Sequence, residues 1–425
     1  MSFSHTKHSL SNGLPVVVVP RTTLHTSAVA LYARVGPMYE RGASQGLSHF
    51  LEHMLYRGTA TLPTAHDQAL AFERLGGMLY AATATDHGVM TLSLPPESLN
   101  EALRLLGEVL QTPRFTALEI ERGIVREEIL EDLDEDGRLI NADKLIKQEL
   151  YDDHPLAAAI TGSLEQLDLF DEQAVRAHHE KHYVASNLAI AISGAVDESS
   201  VLPVLEQALG GIRVGQRVEP AAPAPLRGKR ALRYVESEGS QTSLRIAFRG
   251  PAENTPTEPA TEMLLRIIDD GMSTRLYERL CDSKGLCYDV SAEYETFAND
   301  AIFDFSTEAQ HERAPEVIAE IQALCREMAE HGPTDDELDR ARARARWSTR
   351  ALLDDAEGLA AVYGLALLAD VANPPERCDE LVSVTRSQIR DAATTLFDAR
   401  KMATVAVGTL PKAALRRLEK LVKSF

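Results

Sequence analysis

The chain has 425 residues, 44% hydrophobic and 25% charged, which is typical of a soluble globular protein of two or three domains. Its 44 Lys and Arg against 64 Asp and Glu give a net charge of −20, which disfavours nucleic acid or an anionic membrane as the main partner. The four cysteines are scattered and form no CxxC pair, and the first ten residues lack the apolar core of a secretory signal. We therefore expect a reduced, cytoplasmic protein.

The first half of the chain predicts strands interspersed with helices. An Asn12-Gly13 turn precedes a β-branched strand at 16–19, and the apolar segment 28–35 predicts a buried strand. The next predicted elements, in chain order, are helices capped by Ser44 and Thr64, strands at 78–84 and 88–94, a long amphipathic helix with apolar positions 118, 125, 129 and 133, a helix at 171–183 and a strand at 188–193.

The segment 213–230 separates the two halves of the chain. It contains Pro220-Ala-Ala-Pro-Ala-Pro225, a composition that suits a semi-rigid linker. After it the order of strand, helix, strand pair and long helices is repeated, with a capping box at Thr334-x-x-Glu337. We therefore predict an α+β fold of two similar domains, 1–212 and 231–425, each a mainly antiparallel sheet packed against helices.

The segment His49-Phe-Leu-Glu52-His53 carries the clearest chemistry. On a helix, His49 and His53 are one turn apart and project from one face, where two imidazoles can bind one zinc ion. Glu52 lies beside that face and is placed to act on a metal-bound water. This is the inverted form of the HExxH motif.

A catalytic zinc ion usually has a third protein ligand, which must come from elsewhere in the chain. Carboxylates on the amphipathic helix after Pro113 are the candidates: Glu119, Glu121, Glu127, Glu128 and Glu131. Spacing alone does not choose among them.

The arrangement of His49-x-x-Glu52-His53, followed about 75 residues later (128 − 53 = 75) by the Glu-rich segment 121–128, resembles the pitrilysin/insulinase family of zinc metallopeptidases. That family includes the mitochondrial processing peptidase and small bacterial relatives. The resemblance extends over nearly the whole chain, through Asn12-Gly13-Leu14, Gly76-Gly77, Gly271-Met-Ser-Thr-Arg-Leu-Tyr277 and Gly285-Leu-Cys-Tyr288.

The resemblance implies a role for each matching residue. His49, His53 and Glu128 would bind Zn²⁺, Glu52 would be the general base, and Glu121 would orient a ligating histidine. The implied reaction is metal-assisted hydrolysis of a peptide bond.

The resemblance also implies how a peptide substrate binds. Family members hold an extended peptide against an edge strand of the first domain, which here corresponds to about 78–85 and includes Tyr80, Ala81 and Thr83. The family commonly has Asn-Ala where this chain has Tyr80-Ala81. We expect main-chain pairing to persist despite that difference.

A second departure concerns the other half of the chain. The family's second domain supplies an Arg and a Tyr, seven residues apart, that bind substrate. Here Tyr288 matches the tyrosine, but Cys281 stands at the arginine position, and a thiol lacks the charged fork of a guanidinium. The resemblance therefore predicts the zinc-bearing subunit of a heterodimer, with a homologous partner that supplies the Arg/Tyr pair; a homodimer is the alternative.

Together these features predict a zinc endopeptidase, or a subunit of one, that hydrolyses peptides or unfolded segments. One alternative is a processing peptidase dedicated to one precursor peptide, for example in the biosynthesis of a peptide-derived cofactor. The other is a non-catalytic scaffold subunit, which would have no need of the histidine and glutamate set.

Overall fold

The computed structural model describes residues 3–226, 228 and 231–425. The chain forms two compact units that exchange segments. Unit 1 comprises residues 1–129, 159–220 and 348–377, and unit 2 comprises residues 130–158, 221–347 and 378–425. The predicted continuous domains 1–212 and 231–425 do not include this exchange of 130–158 and 348–377.

The two sheets account for the strands, which are β1 (Thr6–Ser9), β2 (Pro15–Pro20), β3 (Ser27–Ala33), β4 (Tyr80–Thr83), β5 (Gly88–Leu94), β6 (Leu188–Gly194), β7 (Ala231–Val235), β8 (Thr242–Gly250), β9 (Cys287–Thr296), β10 (Ala301–Ala309) and β11 (Met402–Val407). The helices are α1 (Leu47–Met54), α2 (Ala65–Glu73), α3 (Leu99–Gln111), α4 (Leu118–Leu130), α5 (Ala142–Tyr151), α6 (Leu164–Leu167), α7 (Glu172–His182), α8 (Glu198–Leu209), α9 (Glu258–Ile268), α10 (Arg275–Tyr277), α11 (Ala314–His331), α12 (Asp335–Ala351), α13 (Ala356–Ala369), α14 (Pro374–Ser383), α15 (Arg386–Leu396) and α16 (Lys412–Ser424).

Unit 1 is built on a six-stranded sheet in the order β1-β2-β6-β3-β5-β4, in which only β2 and β6 run parallel among the described strands. The central strand β3 is buried on both faces, as its uninterrupted apolar sequence predicts. Val29 and Leu31 pack into the main core beneath α1 and α3, while Tyr32 faces α13 on the other side of the sheet. A side chain at Gly364 of α13 would collide with Tyr32, so glycine allows this close contact.

Unit 2 repeats the design with a five-stranded sheet in the order β7-β11-β8-β10-β9. Here β7 and β11 are parallel and the other pairs are antiparallel. Helix α5, from the exchanged segment, packs against β8 and β11. Two mainly antiparallel sheets packed against helices confirm the predicted α+β fold.

The predicted linker 213–230 lies partly outside the described residues. In its described part, the amide groups of Ala185 and Ser186 donate to the carbonyls of Arg213 and Val214. On the unit 2 side, Arg249 donates to the carbonyls of Ala224 and Pro225. The described parts of this segment are thus tied to the unit on their own side.

Two sequence-based helix boundaries were wrong. Helix α1 begins after Gly46 rather than at Ser44, because Gly46 adopts a left-handed φ of 89° next to the backbone of Gly162, where a β-carbon would clash. The helix predicted to run to residue 133 ends at Leu130, followed by a turn around Asp134 and Gly137. The Thr64 cap and the Thr334-x-x-Glu337 capping box are both present.

Among the described residues, no single helix is long and apolar enough to cross a membrane, although α13 and α14, bent by 80°, meet that criterion as a pair.

Candidate metal and catalytic site

Helix α1 presents the two histidines on one face and buries its opposite face in the core of unit 1. Phe50, Leu51 and Met54 are fully buried in the core of unit 1. His49 and His53 stay partly exposed, with their ring centroids 4.7 Å apart. The i, i+4 spacing thus brings the two imidazoles together.

Helix α4 brings a carboxylate to both imidazoles. Glu128 Oε2 lies 3.4 Å from His49 Nε2, and Glu128 Oε1 lies 3.5 Å from His53 Nε2. One ligand atom from each of these three residues lies within 4.8 Å of the others. Of the five glutamates that spacing left open, Glu128 is the one that completes this group.

The chemistry of these donors fits a zinc ion. Two imidazole nitrogens and one carboxylate oxygen form a ligand set that catalytic zinc sites use, and three protein ligands leave a fourth tetrahedral position for water. The carboxylate is reached by both Nε2 atoms, so the three donors converge on one point rather than forming separate pairs.

Glu121 forms a hydrogen bond with Nδ1 of His53, the ring nitrogen that does not face Glu128. Its Oε2 lies 2.9 Å from His53 Nδ1, and its Oε1 accepts hydrogen bonds from Arg57. Because Nδ1–H donates to this carboxylate, the lone pair of His53 lies on Nε2, the atom that faces Glu128. Glu121 is 4% exposed and continues the stripe of Val125 and Ile129 that α4 buries.

The same contacts set the charge states of this pair. Burial alone would raise the pKa of Glu121, but the bonds from His53 and Arg57 outweigh burial and lower it. Burial would lower the pKa of His53, yet the bond to Glu121 and the neighbouring carboxylates raise it. Glu121 is therefore an ionised acceptor.

Glu52 lies in a different environment from the other acids of the site. Burial raises its pKa, while a hydrogen bond from Thr83 opposes that shift. Thr83 Oγ1 donates to Glu52 Oε2 across 2.5 Å. A carboxylate whose pKa is raised toward neutrality can both take up and release a proton.

A buried polar network fixes the start of α1. Glu40, 1% exposed, accepts hydrogen bonds from the amides of Gly46 and Ser48 at 2.8 and 2.7 Å. The Ser48 hydroxyl accepts from the amide of Gly36 and lies 2.9 Å from His178 Nε2. The carboxylate thus supplies the acceptor that the helix N-terminus lacks.

Strand β4 is an edge strand, as predicted for this segment. Among the described strands it pairs with β5 alone. Tyr80 is exposed, whereas Ala81 and Thr83 alternate with it and are half-buried. The hydroxyl of Thr83 donates a hydrogen bond to Glu52. The prediction that Tyr80, Ala81 and Thr83 bind substrate stays untested.

Tyr288 and Cys281 lie in unit 2. Tyr288 is the second residue of β9 and is 93% exposed. Cys281 Sγ lies 3.7 Å from Cys287 Sγ. The nearby arginines are engaged: Arg275 binds Glu337 and Glu327, and Arg279 binds Glu327.

Sequence reasoning missed three contributors to the site. Arg57 lies beyond the C-terminal end of α1, so helical spacing from His53 does not predict its contact with Glu121. Glu40 and His178 come from a loop and from α7, and no local pattern links either of them to Ser48.

Two family models match the chain. The model described as insulinase (peptidase family M16) matches residues 16–163, and the model described as the peptidase M16 inactive domain matches residues 170–345. The first contains every residue of the site in unit 1 that the sequence predicts, and the second contains Cys281 and Tyr288.

Relatives of similar length carry a consistent name. An uncharacterized zinc protease of Streptomyces coelicolor is 27% identical over 430 aligned residues, which cover 97% of this chain and 92% of that protein. One from Rickettsia felis is 28% identical over 344 residues, 79% of this chain and 81% of that protein.

Solved structures share the fold. A protease from Helicobacter pylori matches with a TM-score of 0.88 and 19% identity, covering 95% of this chain and 99% of that chain. The peptidase M16 inactive domain from Pseudomonas fluorescens gives a TM-score of 0.86 at 22% identity, covering 96% and 98%. The periplasmic protease PqqL from Escherichia coli gives 0.79 at 18% identity, with all of this chain covering 50% of that one.

Proposed function

Because the chain belongs to the M16 (insulinase) family of peptidases, we propose that it is a zinc-dependent endopeptidase acting on peptides or unfolded segments. The observation that carries the proposal is the convergence of His49, His53 and Glu128, with Glu52 beside them. Zn²⁺ is the cofactor that these donors fit and that the relatives' names specify.

The side chains divide the work of hydrolysis. Zinc bound by His49, His53 and Glu128 would lower the pKa of a water molecule and polarise the scissile carbonyl. Glu52 takes the proton from the attacking water and passes it to the leaving amine, for which its raised pKa suits it. Glu121 keeps His53 in the tautomer whose Nε2 is free to bind metal.

We further propose that the peptide binds in extended form along β4. The main chain of β4 bonds to β5 on one side, so the other side offers unpaired amides and carbonyls among the described strands. This places the peptide on the strand whose Thr83 holds Glu52.

Hydrolysis of a mixed set of unstructured peptides by the purified chain tests the proposal. We expect cleavage that a chelator abolishes and that Glu52→Gln lowers about 10²- to 10⁴-fold, with zinc content unchanged. Purified protein that contains no stoichiometric zinc would contradict the proposal of a zinc-dependent enzyme and would favour a non-catalytic scaffold. A zinc-loaded but inert chain would point to a missing partner or to one dedicated precursor substrate.

We also propose a homologous partner subunit. Cys281 stands where the resemblance expects an arginine, and the guanidinium groups of Arg275 and Arg279 are bound to acids. The Escherichia coli protease PqqL is about twice the length of this chain, which is the length of two such subunits. A homodimer is the alternative.

Restoring the missing charge tests the need for that partner. Because an arginine at 281 would bind a substrate carbonyl near Tyr288, Cys281→Arg should raise kcat/KM of the isolated chain about tenfold or more. Cys281→Met, which adds bulk without charge, is the matched control. Equal activity of both variants would remove the missing arginine as the reason for a partner.

We propose a cytoplasmic location, supported by the free state of all four cysteines.

A further inference from the structure

Two cysteine thiols touch in unit 2. Cys281 lies in the π-helical turn Glu278–Asp282 that continues α10, and Cys287 is the first residue of β9. Their sulfur atoms are 3.7 Å apart, about the van der Waals contact distance, and both residues are partly exposed. Cys325 and Cys378 are buried in the same unit.

The backbone between the two cysteines is fixed by its own hydrogen bonds. The amide of Leu286 donates to the carbonyl of Leu280, and the amide of Gly285 donates to the carbonyl of Cys281. With Gly285 at a positive φ of 55°, the bond from Gly285 to Cys281 is the 5→1 bond of an αL cap at the end of a helix, and Leu280 and Leu286 are buried beside it. Arg313 donates to the carbonyls of Lys284 and Gly285.

This motif determines where the thiols lie. The helical turn ends at Asp282, the chain turns at residues 283–285, and β9 begins at Cys287, so the two side chains meet without any long-range rearrangement. Moving the sulfurs from 3.7 Å to the bonded distance of about 2.05 Å requires a shift of about 1.6 Å.

We propose that Cys281 and Cys287 form an oxidation site, a dithiol that closes to an intramolecular disulfide and ties the end of the helical turn to the start of β9. The oxidant is a small-molecule disulfide of the glutathione class. Both thiols lose a proton, one S–S bond forms between Cys281 and Cys287, the S–S bond of the oxidant breaks, and two small-molecule thiols are released. The site goes beyond the proposed peptidase function and does not depend on it.

The environment of Cys281 sets the pace of closure. Burial, together with the contact to Cys287, raises the pKa of Cys281 to about 12. A thiol that keeps its proton is a poor nucleophile, so we expect closure to be slow at neutral pH and faster as pH rises.

Closure would act on the strand that presents Tyr288. Residue 287 is where β9 begins, and the pairing of β9 with β10 is irregular there, between Thr307 and Ala309. A covalent tie at this end of the strand restricts local opening. Amide exchange in residues 283–288 should therefore slow severalfold in the oxidised protein.

The experiment uses the full-length, zinc-loaded chain incubated with oxidised glutathione and then alkylated. Lys284 lies between the two cysteines, so trypsin produces the peptides 280–284 and 285–313. A disulfide between Cys281 and Cys287 keeps these two peptides linked after cleavage. We expect an intact mass lower by about 2 Da, two alkylatable thiols after denaturation, and the joined peptides, all reversed by dithiothreitol.

Matched variants separate this site from other reactions. Cys281→Ser and Cys287→Ser should each form a glutathione adduct at the remaining cysteine, and the double variant should form neither product while keeping its zinc. Wild-type protein that gives only glutathione adducts, or a disulfide through Cys325 or Cys378, would overturn the proposal. A second equivalent of metal bound to wild-type protein and lost in the double variant would overturn it too, since it would make the pair a metal site.

Discussion

The two units use one sheet design for different purposes. In both, a buried central strand, β3 or β8, lies between an antiparallel hairpin that ends at the sheet edge and a pair of parallel strands. The helix that follows β3 carries His49, Glu52 and His53, whereas the helix that follows β8, α9, contains no histidine, and its Glu262 binds Arg266. The fold therefore supplies a position for a metal site, and the residues at that position decide whether the site exists.

The edge strands at the hairpin end of the two sheets, β4 in unit 1 and β9 in unit 2, also differ. Edge strand β4 lies beside Glu52 through Thr83, while edge strand β9 begins with a thiol in contact with a second thiol. The residues proposed for hydrolysis thus lie in unit 1, while Tyr288, proposed to bind substrate, is exposed on unit 2. The following predictions test that division.

The largest effect is expected from the ligand that α4 supplies. Glu128→Gln removes the anionic oxygen that both Nε2 atoms approach, so zinc should be lost and peptide hydrolysis should fall at least 10³-fold. Glu127→Gln, one residue away and exposed, is the control and should keep both. The zinc content of both variants is measured after dialysis. If Glu128→Gln retains stoichiometric zinc, Glu128 is not a zinc ligand.

A smaller effect is expected from the carboxylate behind His53. Glu121→Gln keeps the size but weakens the bond that sets the His53 tautomer, so zinc affinity should fall about 10- to 100-fold. Glu119→Gln, 85% exposed on the same helix, should change nothing. Competition with a zinc-binding dye gives both affinities, and equal values would make Glu121 a structural residue only.

The smallest effect concerns acid stability. Helix α7, which precedes β6, has His179 with its pKa lowered by burial to about 4, whereas α15, which precedes β11 in unit 2, has no histidine. Because the unfolded chain binds this proton at an ordinary pKa near 6.5, His179 contributes stability above that pH that is lost as pH falls toward 4, by up to about 3 kcal/mol.

His179→Gln tests this contribution, because its amide can still donate to the Leu110 carbonyl that His179 Nε2 contacts. We expect the variant to lose less unfolding free energy than wild type between pH 6.5 and 4, measured by urea denaturation. His331→Gln, exposed on α11 of unit 2, should keep the wild-type slope. An unchanged slope in His179→Gln would assign the acid sensitivity to other groups.

Local pattern predicted the parts of the structure that local physics controls. The i, i+4 spacing of His49 and His53 required only a helix, the apolar run at 28–35 required only burial, and the Thr334 capping box is complete within four residues. The boundary errors at Ser44 and residue 133 arose where a distant contact or a turn competed with propensity, as at Gly46 against Gly162.

What the sequence by itself determined about this protein is the α+β class, the repeat of the design and the pair of histidines on one helical face, because each depends on neighbours along the chain. Local spacing left five glutamates open and the family resemblance implied Glu128, but only the tertiary structure shows that Glu128 meets both imidazoles. It also decided that Thr83 donates to Glu52 and that segments 130–158 and 348–377 belong to the other unit. Those relations join residues that are tens to hundreds of positions apart, and the packing of buried apolar surface, not local spacing, brings them together.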